Sequence, residues 1–222
     1  MRSITVHQDQ LEYVGLFATP AFGFLTQPDK VTSGLYYSFL GLHSGLSDFQ
    51  IENPGTGLAR DVAVNLIERG TYRFTPERIE WTYPGAGKSE LDVGVLARGD
   101  SWLRSALPEL KFQHHYYTYF AHCWIDEGTA RDFLLSLSSP QIAGFGENQG
   151  TGLIFHANFP DHNWATQITI DHSNVVPHGL FIQCVTGIMA DHVSHAETVR
   201  YIDSQFRQAL VQFGLTLVRF VG

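Results

Sequence analysis

Hydrophobic positions in this chain recur with a period near two in some stretches and near 3.6 in others, and the changes of period divide it into elements. Residues Glu12–Ala18 alternate and predict a short strand. After Pro28, which suits a first helical turn, Val31, Leu35, Phe39, Leu42 and Leu46 recur at helical spacing. From Asp48 the period returns to two. The segments 48–53, 59–67, 71–74 and 77–83, separated by Gly- and Pro-bearing turns, predict four antiparallel strands. Ser89 then suits an N-cap for a helix that contains Gly94 and Gly99 and stops at Pro108.

The second half repeats this order. A long strand over 111–125 precedes a helix with Asp126 as its expected cap, Ala130, Phe133, Leu134 and Leu137 on one face, and Pro140 at its end. A loop rich in glycine (Gly144, Gly146, Gly150, Gly152) leads to strands over 152–159, 165–172 and 179–187. The last helix is predicted over 194–213. Its stripe is Val199, Ile202, Phe206, Leu210 and Phe213, with Gly214 at a C-cap position.

Each half thus reads strand, helix, three or four antiparallel strands, helix, so the expected fold class is α+β. Two lobes, 1–108 and 109–222, would share one core. This pattern resembles the lobe of the TATA-binding-protein-like fold used twice, the alternative being a single helix-grip domain with the last helix across one long curved sheet. The segments RFTPERIEWTYPG (73–85) and YFAHCWID (119–126), with the closing hairpin, strand and long helix, resemble an uncharacterised, sporadically distributed bacterial protein family. That resemblance brings no activity, cofactor or catalytic residue with it.

Composition narrows the function classes. Of the 222 residues 44% are apolar and 13% aromatic, which is enough to build a core. Fourteen Lys and Arg against 22 Asp and Glu give a formal charge of −8, and no segment clusters basic residues, so nucleic acid is not an expected partner. No apolar run is long enough to span a membrane, and the first residues lack an apolar leader core, so the expected location is the cytoplasm. Cys123 and Cys184 each lie in an apolar strand-like run, where cysteine acts as a small hydrophobe and implies neither a disulfide framework nor a zinc site. Eleven histidines make proton transfer, metal binding or pH response the chemistry to look for.

Three motifs bear on possible chemistry. The segment PGAGKS (84–89) follows a strand and opens a helix, but Thr82 stands where a phosphate loop needs glycine, so it reads as a capping turn. The 144–150 glycine loop has the wrong spacing for a dinucleotide fingerprint and reads as a connection. Asp191, His192, His195 and Glu197 cluster near the last helix. His192 and His195 are its weak metal-ligand candidates, against a reading in which Asp191 merely caps the helix.

Writing each predicted strand as two faces gives the most informative signal. One face of the second half collects Leu153, Phe155, Ala157, Phe159, Ile168, Ile170, Leu180, Ile182 and Cys184, and should lie under helices. The other collects His114, Tyr116, His122, Trp124, His156, Asn158, Gln167, Thr169, Asp171 and Gln183. Solvated sheet faces favour Lys, Glu and Thr, whereas these amphipathic side chains suit a contacting surface. The expected function is a non-catalytic binding or accessory protein holding a small molecule, peptide or partner protein there through His114, Tyr116, Trp124, Asn158, Gln167 and Gln183, with no cofactor. The alternative is an enzyme with His122, His156 and Asp171 in acid–base or metal-assisted chemistry.

Overall fold

The computed structural model describes residues 1–23, 28–52, 61–86, 93–139, 152–159 and 163–220. The first half runs β1 (Arg2–Phe17), α1 (Pro28–Ser38), a 3-10 turn (Leu46–Asp48), β2 (Phe49–Glu52), β3 (Asp61–Leu66), β4 (Gly70–Phe74), β5 (Arg78–Pro84) and α2 (Gly94–Ala106). The second runs β6 (Phe112–Ile125), α3 (Ala130–Leu137), β7 (Leu153–Phe159), β8 (Trp164–His172), β9 (Leu180–Ile188), α4 (His195–Gln212) and β10 (Leu215–Phe220). The fold is α+β, with one large, mostly antiparallel sheet of ten strands and four helices among the described residues.

The strand order is β2-β3-β4-β5-β1-β6-β9-β8-β7, and β10 pairs in parallel with the start of β1. Both halves are joined at the β1–β6 seam, which pairs continuously from Ile4 with Ile125 to Phe17 with Phe112 apart from two register shifts. Outward from that seam each half lays down its strands in the same sequence: first strand, last strand, then back along the meander.

Alternation sets the two faces as the sequence indicates. Val62, Val64, Tyr72, Phe74, Ile79 and Trp81 are buried on the inner face in the first half, and Ile170, Leu180, Ile182 and Cys184 in the second. All four helices contribute to the same core on that side: Val31 and Leu35 from α1 with Phe39 just past its end, Leu96 and Leu103 from α2, Phe133 and Leu134 from α3, and Ile202, Phe206 and Leu210 from α4. Val199 and Phe213 of the α4 stripe are half-buried against it.

Several local expectations are corrected. β1 begins at Arg2, ten residues before Glu12, because a register shift between Val6 and Gln8 changes the phase of alternation. Ile4 and Val6 point inward at even positions, Leu11, Tyr13 and Phe17 at odd ones, so no single period covers the strand. The cap of α3 is Thr129, whose side chain accepts a hydrogen bond from the Asp132 amide, not Asp126. Ser194, not Asp191, stands at the N-cap of α4, and Asp191 instead accepts from the Phe112 amide at 3.0 Å. Phe155, expected under a helix, is 38% exposed because β7 is an edge strand with one flank uncovered. Strand β10 has no counterpart among the sequence expectations. Ser89, Pro140, the 144–150 loop and residues 87–89 of the 84–89 segment lie outside the described residues.

Candidate functional site

Since every described helix packs on the inner face, the outer face of β6, β9, β8 and β7 is left without a described covering element. Cross-strand pairing places its side chains in rows. One row is Tyr116, Gly187, Ala165 and Asn158; the next is Thr118, Val185, Gln167 and His156. Phe120, Gln183, Thr169 and Ile154 form the third, and His122, Phe181 and Asp171 the fourth. Asp171 is the single acidic member of these rows, and none carries Lys, Arg or Glu. In the first half, by contrast, the outer face carries charge pairs such as Arg73 with Asp61 and Arg78 with Glu80.

The expected site residues are thus all on one face, but they do not converge on one point. His122 and Asp171 share a row, with Phe181 between them. That puts them about 10 Å apart, and His156 lies roughly 20 Å from His122, taking three strand spacings across and four residues along. A catalytic centre built from His122, His156 and Asp171 is not what this geometry assembles. Asp171 turns back to accept a hydrogen bond from the His172 amide at 2.7 Å. Gln167 reaches Thr169 along its own strand. His114 stacks with Tyr116 at a ring separation of 5.8 Å, and Trp124, 39% exposed, contacts the His7 ring at 4.5 Å.

His122 is the most constrained of the set. Its Nδ1 lies 2.9 Å from the Ser173 hydroxyl, whose oxygen accepts from the Val175 and Val176 amides. The hydroxyl hydrogen is then the one left for Nδ1, so this ring is an acceptor there and is neutral. Burial, with a smaller contribution from nearby His7, pushes its pKa below the ordinary histidine value. The ring is held as a packing and hydrogen-bonding element against Phe181.

Sequence reasoning missed a second cluster, on the inner face. Tyr117 Oη lies 2.7 Å from His195 Nδ1, and His195 Nε2 lies 3.0 Å from Asp100 Oδ2, linking β6, α4 and α2. Beside this chain Tyr13 Oη lies 2.7 Å from His115 Nδ1. Gly15, the next inward position after Tyr13, makes room for that hydroxyl, which sits 2.6 Å from where a Cβ would stand. Burial, followed by the Asp100 charge, raises the pKa values of Tyr13 and Tyr117, and burial lowers that of His115 to about 4. The signal was legible: His115 and Tyr117 share the parity of Ala121 and Cys123, and Asp100 lies between Leu96 and Leu103 on the apolar side of α2. With Tyr13, Tyr117 and His115 wholly buried, this chain of hydrogen bonds fastens three elements and presents nothing to a substrate.

His192 and His195 do not form a metal pair. His195 points into the core, whereas His192 precedes α4, is exposed, and neighbours Asp191. Among the described residues no group of three or more His, Cys, Asp or Glu side chains is placed to hold a metal ion. Cys123 and Cys184 are buried free thiols whose pKa values burial pushes up to about 12 and about 11. Two cavities lie away from the outer face of the second half: about 450 Å³ between α1 and β2, lined by Tyr36, Tyr37, Leu46, Phe49 and Ile51, and about 170 Å³ beside Lys30 and Glu109. No described helix is long and apolar enough to cross a membrane. Comparison of the chain with protein-family models and with curated proteins finds no match.

Proposed function

We propose that this chain is a non-catalytic docking protein whose open sheet face, built from β6, β9, β8 and β7, receives a partner protein. The observation that carries this reading is the distribution of charge on the outer face. Charged pairs cover the first half, while the second half presents Tyr116, Phe120, Phe181, Val185, Trp124, histidines and amides with Asp171 as the single acidic side chain in its rows. Neutral aromatic and amide side chains cost less to desolvate than charged ones when another protein covers them, and aromatic side chains are enriched where proteins meet. No described element encloses the rows, so a broad protein surface suits them better than a small molecule, which needs most of its own surface enclosed. The same composition and the −8 charge disfavour nucleic acid.

A photo-crosslinking side chain introduced at Gln183, at the centre of the face, tests this in the cells that make the protein. Glu80, on the charged half of the same sheet side, and the exposed Arg200 on α4 serve as controls. The expected result is a discrete protein adduct from position 183, which the added substitution Phe181→Glu abolishes, and none from the other two. Absence of an adduct at 183, or equal yields from all three, would show that the face is ordinary solvated sheet.

A further inference from the structure

The two ends of the sheet are built differently. At one end β2 is four residues long and ends in Glu52, whose pairing partner on β3 is Asp61. A short, acidic edge of this kind discourages other strands from adding to it. At the other end β7 has seven residues, Leu-Ile-Phe-His-Ala-Asn-Phe, with no charge, no proline and an unbroken register against β8 from Leu153–Ile170 to Phe159–Trp164. No described element lies beyond it. Ile154 is 60% exposed and Phe155 38%. Among the described residues none of the devices that keep a strand edge from pairing is present, and the backbone donors and acceptors of β7 that do not pair with β8 point to that edge.

We propose that β7 pairs edge to edge with β7 of a second copy, antiparallel about a twofold axis at His156, making one continuous sheet across two chains. The strand is self-complementary about its middle residue. In the register that uses all seven residues, Leu153 meets Phe159 and Phe155 meets Ala157 on the inner face, while Ile154 meets Asn158 and the two His156 rings face each other on the outer one. Apolar residues meet apolar residues on the helix side, where Phe155 already packs at a tilt on Phe213, ring centroids 4.5 Å apart, and Phe159 lies edge-on to Tyr201. Charge also selects this edge: two copies of a −8 chain approach best where neither carries a charge, which is true of β7 and not of β2. The dimer stands independently of the docking reading, since it uses the strand's edge and not its face.

The experiment is sedimentation equilibrium of the full chain at micromolar concentration, with folding followed by circular dichroism. Wild type is expected near twice the chain mass of 24.9 kDa. His156→Lys and His156→Glu each place like charges directly opposite at the axis and are expected to be folded monomers. An equimolar mixture of the two restores a one-to-one heterodimer, because lysine then faces glutamate. A monomeric wild type overturns the proposal, as does a His156→Lys variant that still dimerises or a mixture that stays monomeric. Photo-crosslinking at Gln183 is unaffected by any of these results.

Discussion

His115 and Phe206 both lie on the covered face, and each has a measurable consequence. Phe206 sits edge-on to Tyr119 at 4.9 Å with almost no exposure, so Phe206→Ala should cost about 3–5 kcal/mol in urea unfolding. A change below about 0.5 kcal/mol would remove α4 from the core. His115 is neutral in the fold, with its pKa lowered by burial to about 4 from 6.5. As pH falls the unfolded chain takes up this proton first. The contribution of His115 is therefore whole above about pH 6.5 and is lost as pH falls toward about 4, on the order of 3 kcal/mol in total. His115→Gln keeps an acceptor for the Tyr13 hydroxyl but does not titrate. Wild type should therefore lose more stability than this variant between pH 7 and pH 4.5, and parallel pH profiles would refute the assignment.

At the scale of elements, close approach decides more than propensity does. Helix α2 carries Gly99 against the buried Tyr72, and a Cβ there would stand 2.5 Å from the tyrosine oxygen and 2.8 Å from its ring. Gly99→Ala gains about 1 kcal/mol of helix propensity, yet forcing Tyr72 out of a filled core costs about 1–3 kcal/mol, so net destabilisation is expected. Chemical denaturation gives the sign directly. The glycine was visible in the sequence as a weak point of the helix, but its cause, the β4 tyrosine beneath it, belongs to packing. Likewise, Thr129 rather than Asp126 caps α3 because Gly128 turns the chain with φ of 80° before the helix can start.

For the molecule as a whole, the continuous β1–β6 pairing leads to the expectation that the two halves unfold as one cooperative unit. The Asp100–His195–Tyr117 chain reinforces it by tying α2 of the first half to α4 and β6 of the second. Variants retaining only Trp81 or only Trp164 report from opposite halves, and their denaturant transitions should coincide within error. Two separated midpoints would mean that the lobes unfold independently. Residues 1–108 alone would leave the long inner edge of β1 without β6, so that fragment is expected not to fold cooperatively.

The sequence by itself determined the α+β class, the order of most elements and the two faces of the sheet. A one-residue slip would turn Ile168 and Ile170 outward, so alternation is enforced by the core it builds. It also determined that His114, Tyr116, His122, Trp124, His156, Asn158, Gln167, Asp171 and Gln183 share a side. What it left open is which of them are neighbours, because strand order and register depend on long-range pairing that local pattern does not encode. Only tertiary structure placed β9 and β8 between His122 and His156, separating a suspected catalytic set, and only tertiary structure brought Asp100, Tyr117 and His195 together from positions far apart in the chain. The start of β1 escaped for a local reason, a bulge that shifts the phase of alternation, while β10 is held by its parallel pairing with that same stretch. Periodicity reports which way a side chain points; what it meets there is settled by the fold.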